Sequence, residues 1–186
     1  MNRVVVNARN ISLPSWSGSA GKYAKKVLNK LQKNDWELSI VLCDDNTITA
    51  LNGQYRNKNE PTDILSFNLG ETVKKGKKKV YLPGDIVISL ETLRENAQYF
   101  QISEDEELRR LIIHGILHLD GMDHCSVLAE YSALTEQDSV CKQIKTVEPM
   151  LAFQEEILNR LKNEHIIPSQ VLTAKFPVSA LHGDKN

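Results

Sequence analysis

The segment His114-Gly115-Ile116-Leu117-His118-Leu119-Asp120-Gly121-Met122-Asp123-His124 carries three of the chain's five histidines within eleven residues. His118 follows His114 by four residues, one turn of an α-helix, so the spacing predicts two imidazoles on one face that can converge on one metal ion. Gly121 stands where such a helix should end, and glycine readily takes the left-handed conformation that turns a chain back. That turn can bring His124 round as a third ligand. Three neutral imidazoles suit zinc at about 2.0–2.1 Å and leave a fourth position open for water, as in a catalytic rather than a structural site. An ion held there acts as a Lewis acid and lowers the pKa of its water. Nickel or another first-row ion fits the same donors. The bland alternative, solvated or core-satisfied histidines, suits this segment poorly, because Leu111, Ile112, Ile113, Ile116, Leu117 and Leu119 make the surrounding helix apolar.

The spacing HxxxHxxGxxH also occurs in metzincin proteases, which place Glu directly after the first histidine as general base. Here that position is Gly115, so a protease reading lacks its base.

Several elements must position these residues. Ser103-Glu104-Asp105-Glu106 fits a capping box that starts the histidine helix, which should run to about Asp120. Upstream, Ser89 can cap a helix ending near Phe100. Residues 3–7 read as a short strand, and Ala20, Ala24, Val27, Leu28 and Leu31 mark an amphipathic helix over 18–33. Residues 37–43 alternate as a strand, and Asp44 and Asp45 offer an N-cap for a short helix through Leu51. Residues 57–62 form a turn before a strand at 63–67. A loop or hairpin around Gly76 leads to a buried strand at 85–89. Residues 126–142 and 147–164 are further helical candidates. The expected architecture is a single α+β domain over 1–165, a mixed sheet of about four strands packed by helices, with an irregular tail at 166–186.

At 186 residues, with 41% hydrophobic and 25% charged residues, the chain fits one globular domain and not a disordered segment. No apolar run approaches a membrane span, and the first residues do not read as a secretory signal. Cys43, Cys125 and Cys141 form no CxxC pair and are odd in number, which points to reduced thiols in a cytoplasm. The net charge of -1 hides an asymmetry: residues 1–80 hold 14 Lys/Arg against 7 Asp/Glu, and residues 81–186 hold 9 against 17. A basic face can therefore meet a polyanion if the fold keeps the halves apart; the alternative is charge scattered for solubility.

With the histidine segment, three further stretches become specific: Leu51-Asn52 with Tyr55-Arg56, then Pro61-Thr62-Asp63-Ile64-Leu65-Ser66-Phe67, and Gly84-Asp85-Ile86-Val87-Ile88-Ser89. Together with Met150 to Leu158 they resemble, in order, the YbeY family of bacterial metal-dependent endoribonucleases, whose signature HGxLHLxGxDH is matched by HGILHLDGMDH. The resemblance implies zinc, one ion per chain, on His114, His118 and His124, and catalytic roles for Arg56 and His114. It implies cleavage of single-stranded rRNA in 16S 3′-end maturation and ribosome quality control, with ribosomal or small-subunit assembly factors as partners and neither membrane nor DNA. The segment between His124 and Met150 is longer than the family pattern, and CSVLAEYSAL replaces its acidic run.

Without the resemblance Arg56 would read as a surface arginine; its physical case is that a guanidinium binds phosphate bidentately and can stabilise transition-state charge near a metal. Lys74, Lys75, Lys77, Lys78 and Lys79 are candidate phosphate-backbone contacts, or else a solvated hairpin tip. Asp123 could hydrogen-bond the backbone or orient a ligand histidine, and Asp85 could do likewise or cap its strand. Cys125 could ligate in principle, Cys43 reads as core, and His165 and His182 read as surface residues. Trp16 and Trp36 could pack or stack on bases. A ribosome-assembly module with a structural metal is the competing function, and a protease is a distant third.

Overall fold

In the computed structural model, residues 1–122 and 149–168 are described. They form four strands, β1 (Arg3–Arg9), β2 (Glu37–Cys43), β3 (Ile64–Lys75) and β4 (Lys78–Ser89), and five helices. The helices are α1 (Ser17–Lys30), α2 (Asp45–Arg56), α3 (Leu90–Phe100), α4 (Glu104–Leu119) and α5 (Pro149–Arg160). The α+β reading holds, with one mixed sheet of order β1-β2-β4-β3. β1, β2 and β4 run parallel, and β3 closes the edge antiparallel to β4.

Alternation along the central strands sorts the core into two faces. Leu38, Ile40 and Leu42 of β2 and Ile86 and Ile88 of β4 join the larger cluster, with Ala24 and Leu28 of α1 and Ile112, Ile113 and Ile116 of α4. Cys43, Val87 and Leu65 face the other way and pack on Ile48 of α2. Burial drives this two-sided arrangement, at roughly 25 cal/mol for each Å² of apolar surface removed from water.

The caps stand where the sequence suggests. Asp44 accepts from Thr47 N at 2.9 Å to start α2, and Ser103 accepts from Glu106 N at 3.0 Å to start α4. Four acids in the first turn of α4 complement the helix dipole. Several elements outrun their expected bounds: β1 runs past residue 7 to Arg9, and β4 starts at Lys78 rather than at residue 85. α2 continues past Leu51 to Arg56, where Asn57 takes the left-handed cap with φ 57°. β3 continues past Phe67 to Lys75, and with β4 it forms a long hairpin closed at Gly76. The helix expected at 147–164 is α5, ending at Arg160. The candidate helix at 126–142 lies outside the described residues.

Ile166 and Ile167, at the start of the expected tail, are in neither helix nor strand, yet they are buried in the larger cluster. Asp105 Oδ1 accepts from both of their backbone N–H groups, at 2.7 and 2.9 Å. Packing therefore extends past residue 165.

Candidate metal centre

α4 carries a nearly continuous apolar surface against the sheet, which leaves its polar residues few places to go. His114 and His118 emerge on one face, their rings 4.6 Å apart and nearly perpendicular, with Nε2 atoms 3.1 Å from each other. Gln154, buried on α5, places Oε1 3.0 Å from His114 Nδ1. An amide oxygen only accepts, so Nδ1 carries the proton and Nε2 keeps its lone pair. Two nitrogens each 2.0–2.1 Å from one tetrahedral ion lie about 3.3–3.4 Å apart, so this donor pair fits a metal such as zinc. Gln154 then does what partners of metal-bound histidines do: it fixes the tautomer and the ring orientation.

α4 ends in a Schellman turn, with Met122 N donating to Leu117 O and Gly121 N to His118 O, both at 3.0 Å. Gly121 has φ 88°, the left-handed conformation its place in the sequence suggests. Beyond it the chain leaves the described residues, and His124 lies there with Asp123, Cys125, Cys141 and His182. Among the described residues no group of three or more His, Cys, Asp or Glu side chains could hold a metal.

A cavity of about 580 Å³ opens over the histidine pair, lined also by Ser66 and Asn68 of β3 and by Arg56. Arg56 is exposed at the last position of α2. The turn after it is tied down by Asn52, whose buried amide donates to Glu60 O at 2.9 Å. This explains what the Asn of the Leu51-Asn52 pair is for. The five candidate lysines do not line this cavity. Lys74 is six residues along β3 from Asn68, about 20 Å at strand rise. There Lys74 pairs across the hairpin with Lys79 and Lys75 with Lys78, and Lys75 also pairs with Glu37.

Gly115 turns away from the cavity. A Cβ there would lie 2.8 Å from Ile86 Cδ1 of β4. A side chain at this position would enter the core, so the protease base has neither residue nor direction.

Sequence reasoning gave no individual role to Gln154, although it sits in the Met150–Leu158 stretch, and it missed Glu107. Glu107 is buried two turns before His114. Burial, then the charge of Asp63, raise its pKa against the opposing pull of Arg110 and Asn96. Other candidates take structural places. Cys43 is core, and burial, then Asp44 and Asp45, push its thiol up to about 12. Trp36 is buried and its ring centroid is 5.1 Å from that of Tyr81, while Trp16 packs on the main core. Asp85 is exposed on β4. His165 is exposed, its Nδ1 3.1 Å from Asp105.

The model of the family described as Endoribonuclease YbeY matches residues 6–145. A protein named Endoribonuclease YbeY from Treponema pallidum is 44% identical over 125 residues, 67% of this chain and 78% of that protein. Its namesake in Treponema denticola is 43% identical over 68% of this chain and 82% of its own length. The one in Persephonella marina is 40% identical over 67% and 80%. The solution structure of TM1509 from Thermotoga maritima shares the fold, with a TM-score of 0.52 at 23% identity over 88% of this chain and 93% of that one. With a family match running from β1 past the histidine pair, and identity of this order over two thirds of its length, the chain belongs to the YbeY family.

Proposed function

We propose that this chain is a zinc-dependent endoribonuclease that cuts single-stranded RNA, acting in the cytoplasm in ribosomal RNA processing, 16S 3′-end maturation and ribosome quality control. One observation carries the reading: His114 and His118 bring their Nε2 atoms within 3.1 Å of each other at a cavity that also holds Arg56. The name Endoribonuclease YbeY, borne by the relatives, supports RNA as the substrate. His114 and His118 would hold the ion, with His124 as the proposed third donor. When bound, a divalent ion supplies Lewis-acid polarisation of a phosphoryl oxygen and acidifies water.

The protein's own groups do the rest. Gln154 keeps the His114 proton on Nδ1. Arg56 offers a planar fork to two non-bridging phosphate oxygens and stabilises charge that builds up on them. The hairpin lysines extend the contact along the phosphate backbone. The competing reading, an assembly module whose metal only holds the fold, is disfavoured because the histidine pair opens on solvent space of about 580 Å³.

Metal analysis and cleavage of an unstructured RNA, on parent and His118→Ala, test the proposal. Near-stoichiometric zinc with cleavage in the parent, and loss of both in the variant, is the expected result. A metal-loaded parent that leaves RNA intact would return the site to a structural role.

A further inference from the structure

A second cavity, of about 510 Å³, lies on the other side of His114 and shares Asp63 and Ile64 with the first. Its walls are of another kind. Phe100, Ile102, Leu111 and Leu151 give it apolar sides. Phe100 is 59% exposed at the end of α3, and Tyr99 beside it makes an edge contact with ring centroids 5.0 Å apart. The polar groups are arranged against an anion. Asp63 and Glu107 present carboxyl groups, and Asn96 donates to Asp63 Oδ2 at 3.1 Å. The two terminal nitrogens of Arg110 are already engaged, Nη1 by Glu155 at 2.6 Å and Nη2 by Glu106 at 2.9 Å.

A phosphate is therefore repelled here, whereas a flat, uncharged group with hydrogen-bond donors on its edge is suited. We propose that this cavity is a nucleobase subsite: the base next to the scissile phosphate stacks on Phe100 and turns its exocyclic amino group toward Asp63 and Glu107. The inference rests on the ribonuclease reading above and deepens it. The shared residues place the two cavities side by side, one for the phosphate and one for the base. Adenine, cytosine and guanine carry the amino donor and uracil does not, so the subsite selects against uracil. A single-stranded substrate follows as well, since a base can turn into such a cavity only when it is unpaired.

The test uses the zinc-loaded protein and unstructured RNA oligomers with 2-aminopurine placed at successive positions around the cut. Stopped-flow mixing reads fluorescence in the binding phase before cleavage, and steady-state assays give kcat and KM. At one flanking position the parent should quench the probe, and Phe100→Tyr should keep the quench. Phe100→Ala should lose it and raise KM on the order of tenfold with kcat near the parent value, as removal of a stacking platform does. Uracil in place of cytosine at that position should lower kcat/KM about tenfold, and Glu107→Gln should shrink that ratio. Phe100 is largely exposed, so the melting temperature of Phe100→Ala should match the parent.

Cleavage by the parent with quench and KM unaffected in Phe100→Ala overturns the subsite and leaves the ribonuclease reading standing. A raised KM with the quench intact also overturns it. A zinc-loaded parent that neither binds nor cuts the oligomers removes the ribonuclease reading, and the subsite with it.

Discussion

At the residue scale the site depends on where protons sit. Gln154 holds the proton of His114 on Nδ1 and so exposes the Nε2 lone pair. Gln154→Leu removes the acceptor at similar volume. Zinc affinity should then fall by about 10- to 100-fold, read by competition with a chelating dye, while Gln154→Glu, which keeps an acceptor, should retain most of it. Arg56 makes a different demand. It is exposed and ends a helix, so the fold does not need its side chain, yet it lines the cavity. Arg56→Ala should slow single-turnover cleavage by about 10²–10³, with Arg56→Lys intermediate, while zinc content and melting temperature stay near the parent. Parent-like cleavage by Arg56→Ala would remove it from the site. The histidine pair was legible in the sequence because one helical turn puts both rings together. Gln154 was not, because it meets His114 from 40 positions away. Arg56 stood out only through the family resemblance.

At the element scale α4 packs closely against β4. A methyl at position 115 would meet three carbons of Ile86, at 2.8 to 3.0 Å. Alanine favours a helix over glycine by about 1 kcal/mol. Overpacking a core costs about 1–3 kcal/mol, and here the crowding is close enough to win. Gly115→Ala should therefore destabilise in urea unfolding, and Gly115→Ala with Ile86→Val should recover part of the loss. The hairpin offers a test with two opposite signs. Lys74 faces Lys79 and Lys75 faces Lys78, and like charges directly opposite each other destabilise a ladder. Replacing the five lysines by Ala should leave melting unchanged or slightly higher, while RNA binding weakens and its salt dependence flattens. Unchanged binding would make the tip a solvated turn. The far half of β3 was hard to read because Leu69 to Lys75 lacks clean alternation and is mostly exposed. Its strand conformation comes from pairing with β4. The caps, by contrast, were legible because Asp44, Ser89 and Ser103 act within three residues of themselves.

At the scale of the whole molecule the fold interleaves the two charge halves. β4, which from residue 81 onward belongs to the largely acidic half, lies between β2 and β3 of the basic one, and Lys26–Glu164 and Lys33–Asp120 pair across the division. Among the described residues the sequence asymmetry therefore does not become two lobes of opposite sign. The long-range tie is Asp105. Burial alone would raise its pKa, but N–H groups of Ile167 and Ile166, then His165 and Arg109, outweigh that and lower it. A depressed carboxylate stabilises the fold above its unfolded value near pH 3.9, and that contribution is lost as pH falls through the lower native value. Melting temperature should therefore drop on acidification below about pH 4, and the Asp105-dependent part of the drop should vanish in Asp105→Ala. That variant should itself lose about 3–5 kcal/mol in urea unfolding at neutral pH, since Arg109 is left buried without its partner. The tie was hidden from sequence because its ends are 61 and 62 residues apart. The same separation sets an order of events during synthesis. A ribosome adds about 5–20 residues each second, so the carboxylate at 105 waits about 3–12 s for the amide that closes over it. For those seconds the sheet and α4 can exist as nascent structure with an unclosed seam, and the domain reaches its final stability only after residue 167 has cleared the exit tunnel.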